Sequence, residues 1–501
     1  MHWAQAFVKD LQGKQLVSTG ISPSGPIHVG NMREILTGHF IYSEMVSKGL
    51  EADFIYLCDD IDPLRKMYPF LPGSFEKFVG YPLYKIPSPD GVGTYSEHFL
   101  KPFLATLDLI AVKVRVIRSH DLYGNGDFAD IIDLSIRRRK EIAEILSGTS
   151  GREIEGDWYP YSPVCPKCGR ITSTTVVGYE KPFVSYVCKC GNSGKADIRK
   201  DDGKMPWRVE WPAKWSVLGV TMEPFGKDHG AAGGSYDTGK LIAEKIFGIS
   251  APKPLMYEWI SLKGKGTMHS STGINIAASD FVKMAPPEIL RYLIARNQPS
   301  RHIEFDPGNG LLTLVDEFER LREEHENGKL DEDRDESYRL SSLGASKEVL
   351  SVGFRHLVTL IQIYPDESGL LNAMKRSGYP MDTISENMHN RIAMIKRWLN
   401  DFAPEEIKFR LLPVDSEVNI NDAEKKLLRS FLESIDSIQW QANDIHNRIH
   451  ELLKESGIPP GEGFGIFYKT FIGKSKGPRL GYFFSNLNME FVKNRLEFAS
   501  R

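Results

Sequence analysis

The sequence predicts a doubly wound parallel α/β domain, interrupted by a small metal-stapled insertion and followed by an all-α region. Three observations carry this expectation. A strand, a glycine turn, a helix and a second strand succeed one another within the first 58 residues, which is a βαβ unit. Four cysteines gather within 26 positions, 165–190. After residue 337 the apolar residues recur at helical spacing.

Residues 15–21 read as the first strand, and the segment SPSGP that follows is a Gly/Pro turn. From about Val29 to Ser47 the spacing turns helical. Residues 53–58, DFIYLC, form an apolar run bounded by acids, the pattern of a parallel strand buried on both faces. This opens the first half of the α/β domain, residues 1–155. Residues 156–205 are rich in Gly, Pro, Ser, Thr and Cys, with short strand-like pieces at 172–179 and 183–188. The α/β pattern returns at 216–222 and continues through a helix after Gly239, so 206–260 is the second half. A loop and a connecting helical domain occupy 261–337. Within them, 286–296 opens with prolines suited to a helix start and sets Ile289, Leu290, Leu293 and Ile294 on one face.

Residues 316–336 carry 11 acids and 4 bases, net −7, and read as a solvated helix and linker at a domain boundary. Beyond them, Leu428, Phe431, Leu432, Ile435 and Ile438, then Ile445, Ile449 and Leu452, keep helical spacing over 422–455. Segments 340–363 and 384–403 do the same, so 338–501 is expected to be all-α. The last stretch, 469–501, has 7 bases and 2 acids, net +5, together with Phe471, Tyr482, Phe483 and Phe484. It reads as a local basic and aromatic surface, or as an ordinary positive helix face.

Composition narrows the function classes. With 41% hydrophobic and 11% aromatic residues the chain can build full cores, which excludes wholesale disorder and collagen. A net charge of −3 excludes a wholly basic nucleic-acid coat, so any RNA contact must be local. Five cysteines are too few for a disulfide scaffold, and four clustered ones point to metal in a reducing compartment. No signal peptide is visible, and no apolar run approaches the roughly 18 residues of a membrane span. The expectation is a cytoplasmic protein with neither membrane nor DNA as partner.

The segment Ser22-Pro-Ser24-Gly25-Pro-Ile-His28-Val-Gly30-Asn31-Met-Arg-Glu34 follows the first strand and opens a helix. There an α/β sheet presents backbone N–H groups to an anion. Gly25 and Gly30 let a nucleotide come close. His28 and Asn31, three apart, can both donate to a triphosphate and stabilise charge as the α-phosphate is attacked. The segment resembles the HIGH signature of class I aminoacyl-tRNA synthetases, with Asn31 in place of the last His. That resemblance implies a Rossmann-like fold and a carboxylate attacking the α-phosphate of ATP while pyrophosphate leaves.

The class also carries a KMSKS loop. Residues 263–273, KGKGTMHSSTG, match a KMSSSKG-like pattern at Met268, Ser270, Ser271 and Gly273. Thr267 and Thr272 stand where the motif lysines belong, the lysines that clamp the leaving pyrophosphate. Lys263 and Lys265, just upstream in a glycine-rich stretch, are their candidate replacements. If the segment is instead an inert polar loop, activation is weak or absent.

Residues 56–66 (YLCDDIDPLRK), 206–215 (PWRVEWPAKW), 223–239 (EPFGKDHGAAGGSYDTG) and GPRLGYFFSNL near the C-terminus extend the match along essentially the whole chain. In this order and spacing they resemble the class I lysyl-tRNA synthetases, which are similar to the glutamyl type. Glutamyl-type enzymes carry an Arg shortly before HIGH, and aligned back from His28 that position is Ser18. Its loss removes a charge that would repel lysine. Glu34, Asp60, Glu210, Asp237 and Glu258 are candidate acids for the lysine ammonium. Trp207, Trp211 and Tyr257 are candidate walls. Each acid has a structural ion pair as its other role. Thr19 and Gly20 at the strand end, with His229, complete the expected lysine site. Gly226, Asp228 and His229 form a Gly-x-Asp-His arrangement assigned to ATP. Gly233 and Gly234 would let backbone approach the adenosine, and Asp237 and Thr238 also fit a helix cap.

The resemblance implies ATP and Mg²⁺, tRNA(Lys) as partner, activation that needs tRNA, and an anticodon-binding C-terminal region whose bases stack on the Phe- and Tyr-bearing surface. The rivals are a class I synthetase for another amino acid such as glutamate, which Ser18 disfavours, and a non-catalytic RNA-binding paralogue, which His28 and Asn31 disfavour.

Cys165-x-x-Cys168 and Cys188-x-Cys190, 19 residues apart, read as a zinc ribbon or knuckle, and each pair precedes a glycine. Four thiolates leave no open position, so the Zn²⁺ is expected to be structural. The single spacer in the second pair leaves reduced free thiols as the alternative. Cys58 sits in an apolar run and is expected to be inert core.

Overall fold

The computed structural model describes residues 1–150, 154, 156–268, 275–343, 352–379 and 381–501. Ser270 and Ser271 of the loop motif, with Thr272 and Gly273, lie outside the described residues. Two compact units divide the chain. The first is Met1–Val282, Pro287–Phe305 and Leu321–Ala345; the second is Lys283–Pro286, Asp306–Arg320 and Ser346–Arg501.

In the first unit, β1 (Gln15–Ile21) leads through the SPSGP turn into α1 (Met32–Ser47) and β2 (Ala52–Cys58), and β3 (Arg115–Arg118) follows. After an insertion come β4 (Thr174–Glu180), β5 (Phe183–Cys188) and β6 (Ser193–Asp197). Then α2 (Trp207–Leu218), β7 (Met222–Gly226), α3 (Ser235–Ile242) and β8 (Lys253–Tyr257) complete the sheet. Strands β1, β2, β3, β7 and β8 pair in parallel, in the order β8-β7-β1-β2-β3. Gln15 to Ile21 run level with Ala52 to Cys58. The order reverses between β1 and β7, so the chain leaves β1 in one direction and β7 in the other. A crevice at their carboxyl ends follows, the usual ligand position of a doubly wound sheet.

Helix α1 covers one face of the sheet, burying Ile35, Leu36, Phe40, Ile41 and Met45. Its close approach depends on Gly38, where a Cβ would stand 2.9 Å from the Thr19 methyl group. The return of the α/β pattern is displaced from the expected 216–222. Residues 216–218 finish α2, Gly219 turns the chain at φ +71°, and the strand begins at Met222. The apolar run there spans a helix end and a strand start, and Trp207, Trp211 and Trp215 at four-residue spacing mark the helix. Likewise α3 starts at Ser235, ahead of the expected Gly239. The insertion forms the antiparallel sheet β4-β5-β6. Next, β9 (Ile260–Leu262) and β10 (Gly266–Thr267) make a hairpin, with α4 (Pro287–Ala295) and β11 (Ile303–Phe305) beyond it. The acidic stretch is no open linker: α5 (Asn309–Glu326) runs through its first half, and the division between units falls within this helix.

The second unit is helical, with α6 (Phe354–Ile363), α7 (Glu386–Asp401), α8 (Asp422–Ser434), α9 (Ala442–Ser456), α10 (Pro460–Ile472), α11 (Leu480–Ser485) and α12 (Met489–Ala499). Leu428, Phe431, Ile445, Ile449 and Leu452 meet in one core. The aromatic surface expected at the C-terminus is not there in that form. Phe471, Phe483 and Phe484 are completely buried in this core, and only Tyr482 is exposed, at 56%. Among the described residues no helix is long and apolar enough to cross a membrane.

Candidate active site

A cavity of about 390 Å³ opens at the carboxyl ends of β1 and β7. From the first turn it is lined by Gly20, Ser22, Ser24, Gly25, His28, Gly30, Asn31 and Glu34. From the second it takes Gly226, Asp228 and His229, and Tyr257, Met268 and Thr267 complete the expected lining. Residues distant in sequence thus converge where the topology puts the crevice.

The motif turn is held from several sides. The Ser22 hydroxyl donates to Asp62 (2.6 Å), and the Tyr95 hydroxyl to the Ser24 carbonyl (2.7 Å). Val29 N–H donates to the Ile276 carbonyl, and Ala278 N–H to the Ile27 carbonyl, so His28 bridges to Ala277 just past the loop motif. His28 N–H donates to Asn31 Oδ1 at 3.1 Å, which leaves the Asn31 amide nitrogen for a ligand. Gly30 is required here. A Cβ on it would stand 2.8 Å from His28 Nδ1 and would push the ring out of place.

Glu34, in the first turn of α1, is the enclosed acid of the cavity. Its Oε1 accepts from Gly20 N–H (2.6 Å) and its Oε2 from the Tyr257 hydroxyl (2.9 Å). Burial outweighs these two donors and pushes its carboxyl up to about 8. The acid is therefore neutral at pH 7 until a cation ionises it. The other lining acid, Asp228, is 49% exposed and lies 3.7 Å from His229, so solvent screens it. His229 packs against Trp207 and Trp211 at ring separations of 5.2 and 5.7 Å, and burial lowers its pKa.

Other expected site residues lie elsewhere. Asp60 is fully buried, bonded to the His120 backbone N–H (3.1 Å) and ring (2.6 Å). Glu210 is fully buried, accepting from the Tyr123 hydroxyl (2.8 Å) and paired with Lys204 (2.9 Å) and Lys214 (3.5 Å). Asp237 accepts from Gly233 N–H (3.0 Å), a turn-closing role. Thr19 donates to the Ile55 carbonyl and packs beneath α1. Trp207 stacks on Trp211 at 5.1 Å. Glu258 pairs with Lys227 at 2.7 Å. Ser18 is completely buried within β1 and does not line the cavity. Lys263 and Lys265 stand exposed at the β9–β10 turn, whose far end delivers Thr267 and Met268 to the cavity. Four lining residues went unread in the sequence: Ile21, Ile27, Trp259 and Ile260. Trp259 lies two residues past the end of β8, and its place at a strand's carboxyl end was the available signal.

The Sγ atoms of Cys165, Cys168, Cys188 and Cys190 all lie within 4.8 Å of one another. The Cys165–Cys190 pair is 3.7 Å apart and Cys168–Cys188 3.6 Å. A tetrahedron with Zn–S bonds of about 2.3 Å has edges of about 3.8 Å, whereas a disulfide would need about 2.05 Å. The donor set therefore fits a four-thiolate metal. Gly169 and Gly191 take φ of +70° and +83°, the left-handed turns that fold each pair around one point.

A family model described as tRNA synthetases class I (K) matches residues 1–344. The chain is 55% identical over 497 residues to the lysine–tRNA ligase of Picrophilus torridus, covering 99% of this chain and 98% of that one. It is 54% identical over 498 residues to the lysine–tRNA ligase of Thermoplasma volcanium, covering 99% of each. With the lysine–tRNA ligase of Archaeoglobus fulgidus it shares 43% identity over 507 residues, covering both chains entirely.

Proposed function

The chain belongs to the class I (K) tRNA synthetases, and we infer that it is a lysine–tRNA ligase that activates L-lysine with ATP and charges tRNA(Lys). A lysine carboxylate oxygen attacks the α-phosphorus of ATP. The bond to the β-phosphate breaks, and pyrophosphate leaves with its electron pair. The terminal adenosine hydroxyl of the tRNA then attacks the lysyl carbonyl, and AMP leaves.

The observation that carries the reading is Glu34. A lysine ammonium entering this cavity meets an acid already desolvated and fixed by Gly20 and Tyr257. The pair forms away from competing water, where it is worth most. His28 and the Asn31 amide donate to the phosphates. Gly226, Asp228 and His229, with Trp259 beside them, hold the nucleoside side of the cavity. Lys263 and Lys265 stand in for the loop lysines against the leaving pyrophosphate. Mg²⁺ accompanies ATP and neutralises phosphate charge. Zn²⁺ held by Cys165, Cys168, Cys188 and Cys190 stabilises an insertion too small to fold unaided. The helical unit holds the anticodon, and tRNA must be present for activation.

ATP–pyrophosphate exchange with each amino acid, with and without tRNA, tests this. Exchange with lysine alone, and only when tRNA is added, is the expected outcome. Exchange with glutamate, or with no amino acid, would refute it.

A further inference from the structure

The positive tail at 469–501 looks like an RNA surface in sequence, but the structure spends most of its charge internally. Lys469 lies 3.9 Å from Glu424, Lys493 pairs with Asp436 (2.5 Å), and Arg501 pairs with Glu497 (3.3 Å). Lys474 donates to the Glu405 and Lys408 carbonyls, and Arg495 is completely buried among the carbonyls of Thr470, Val414 and Ser416. Lys476 and Arg479 are exposed, with neither an ion pair nor a side-chain hydrogen bond to the described residues.

Arg479 and Tyr482 sit one helical turn apart at the start of α11 and form the wall shared by two cavities. The smaller, about 360 Å³, also holds Asn443, His446 and Phe464. The larger, about 800 Å³, has a polar floor in which His356 Nε2 meets Asn486 Oδ1 at 3.0 Å and His356 Nδ1 meets the Tyr379 hydroxyl at 3.2 Å. In the smaller cavity the His446 ring stacks on Phe464 at 5.7 Å and 16°, with His450 edge-on to the same ring at 5.1 Å. Burial, His450 and Arg479 lower the His446 pKa, so its ring is a neutral aromatic surface at pH 7. The wall is rigidly seated. A Cβ at Gly481 would stand 2.1 Å from the Ala442 carbonyl, so α11 lies directly on α9.

Flat aromatic faces in two adjoining cavities, with a free guanidinium on the wall between them, are what consecutive unstacked bases require. We propose that Arg479 and Tyr482 form a wedge between two adjacent unpaired nucleotides of the tRNA, one base seated in the His446–Phe464 cavity and the other in the larger cavity beyond Tyr482. The proposal rests on the lysine–tRNA ligase reading for the identity of the RNA. Stacking supplies the affinity. Arg479 contacts a phosphate or a base plane from the shared wall, and the exposed Asn443 offers an edge hydrogen bond in the smaller cavity.

The test uses the full chain and four fluorescently labelled RNAs: the three hairpin arms of tRNA(Lys) and its acceptor-stem helix, each alone. Wild type should bind one hairpin. Tyr482→Ala and His446→Ala should each weaken that binding about 5- to 100-fold, the scale of one lost base–aromatic stack. Tyr482→Phe should restore it, and Arg479→Ala should reduce the slope of log K against log salt by about 1. In aminoacylation the same alanine variants should raise KM for full-length tRNA while leaving charging of the acceptor-stem helix unchanged. Unchanged hairpin binding and unchanged tRNA KM in Tyr482→Ala and Arg479→Ala overturn the wedge, as does an equal loss for hairpin and acceptor stem. If Tyr482→Ala melts at lower temperature, the Arg479→Ala salt slope decides. Failure of wild type to charge tRNA with lysine would overturn the ligase reading alone, because hairpin binding reports on the wedge independently.

Discussion

Replacing Glu34 with Gln removes the charge assigned to the lysine ammonium while keeping a side chain that can still contact Gly20 and Tyr257. Its magnitude follows from two opposing effects. Removing one partner of a buried ion pair costs about 3–5 kcal/mol. Against this, Glu34 is neutral at pH 7 before lysine binds, with a pKa of about 8, so ionising it on lysine entry costs about 1.4 kcal/mol per pH unit below that value. The difference, about 2–3.5 kcal/mol, predicts a rise in lysine KM of roughly 30- to 300-fold. The sign of the pH dependence is also set. Below pH 8 each lysine bound must expel one proton from Glu34, so wild-type KM for lysine should fall about tenfold per pH unit as pH rises from 6 towards 8, then level off. In Glu34→Gln that slope should vanish. Without lysine the relation inverts. A carboxyl with a raised pKa withdraws stability from the folded chain as pH rises between its unfolded value and about 8, so the substituted protein should melt higher than wild type at pH 8.5. The assay is pyrophosphate exchange at saturating ATP and tRNA, across pH 6–8.5, with thermal melting alongside. A Glu34→Gln lysine KM within about threefold of wild type, or a wild-type KM flat in pH, would refute the assignment.

His28→Ala should lower the activation rate by orders of magnitude while tRNA still binds, since preorganised donors to the reacting phosphate each supply ~3 kcal/mol; normal activation would sink the role given to His28. Gly30→Ala should reproduce part of that loss without deleting any donor, because its Cβ meets His28 Nδ1 at 2.8 Å; unchanged kcat would show the ring position to be unimportant. Metal analysis should find one zinc per chain, and Cys188→Ser should lose it and lower the melting temperature; a metal-free wild type of equal stability would reject the four-thiolate site. Lys204→Met should destabilise the fold by about 3–5 kcal/mol in chemical denaturation by leaving Asp62 without its paired cation and Glu210 with Lys214 alone; a loss under about 1 kcal/mol would show that water or relaxation replaces the lysine.

The sheet was legible because its signals are local. Residues 15–21 and 53–58 are short apolar runs flanked by turn or acidic residues, and both became strands within a residue of the expected ends. The expectation that the first turn and Gly226–His229 share a site came from the class I resemblance, because each short pattern is weak by itself. Residues 216–222 misled because one apolar run covers the end of α2 and the start of β7, and only Gly219 separates them. Inside and outside were harder. Phe471, Phe483 and Phe484 share their composition with a stacking surface, yet helical phase turns all three inward and leaves Tyr482 outside. The acids divided for a different reason. Asp60, Glu210 and Glu34 look alike in sequence, and what separates them is the partner each meets after folding. Glu210 meets Lys204 and Lys214, whereas Glu34 meets only neutral donors. An acid whose charge is already compensated has none to offer a substrate.

That compensation has a use of its own in the motif turn. Ser22 donates to Asp62, Asp62 is paired with Lys204, and Lys204 is paired in turn with Glu210. Burial opposes the charge on Asp62, but Lys204, Ser22 and Lys214 together outweigh it and hold its pKa down at about 2. Lys204 lies at the end of the insertion that the four cysteines staple, paired with Ser162 at its start, so a continuous chain of charge-assisted bonds runs from the base of the insertion to the turn that carries His28. A carboxylate held this far down gives its stability above pH 4 and loses it only as pH falls towards 2, so the anchor is constant over the range in which Glu34 titrates. The two acids therefore divide the work by environment. Asp62, matched with lysines, stays ionised and fixes geometry, while Glu34, matched only with neutral donors, stays neutral until a cation arrives. Asp62→Asn should then raise lysine KM and lower kcat together, with the wild-type pH slope intact, whereas Glu34→Gln removes the slope. Loss of the slope in Asp62→Asn would mean that the two acids titrate as one system, and the division of roles between them would fail.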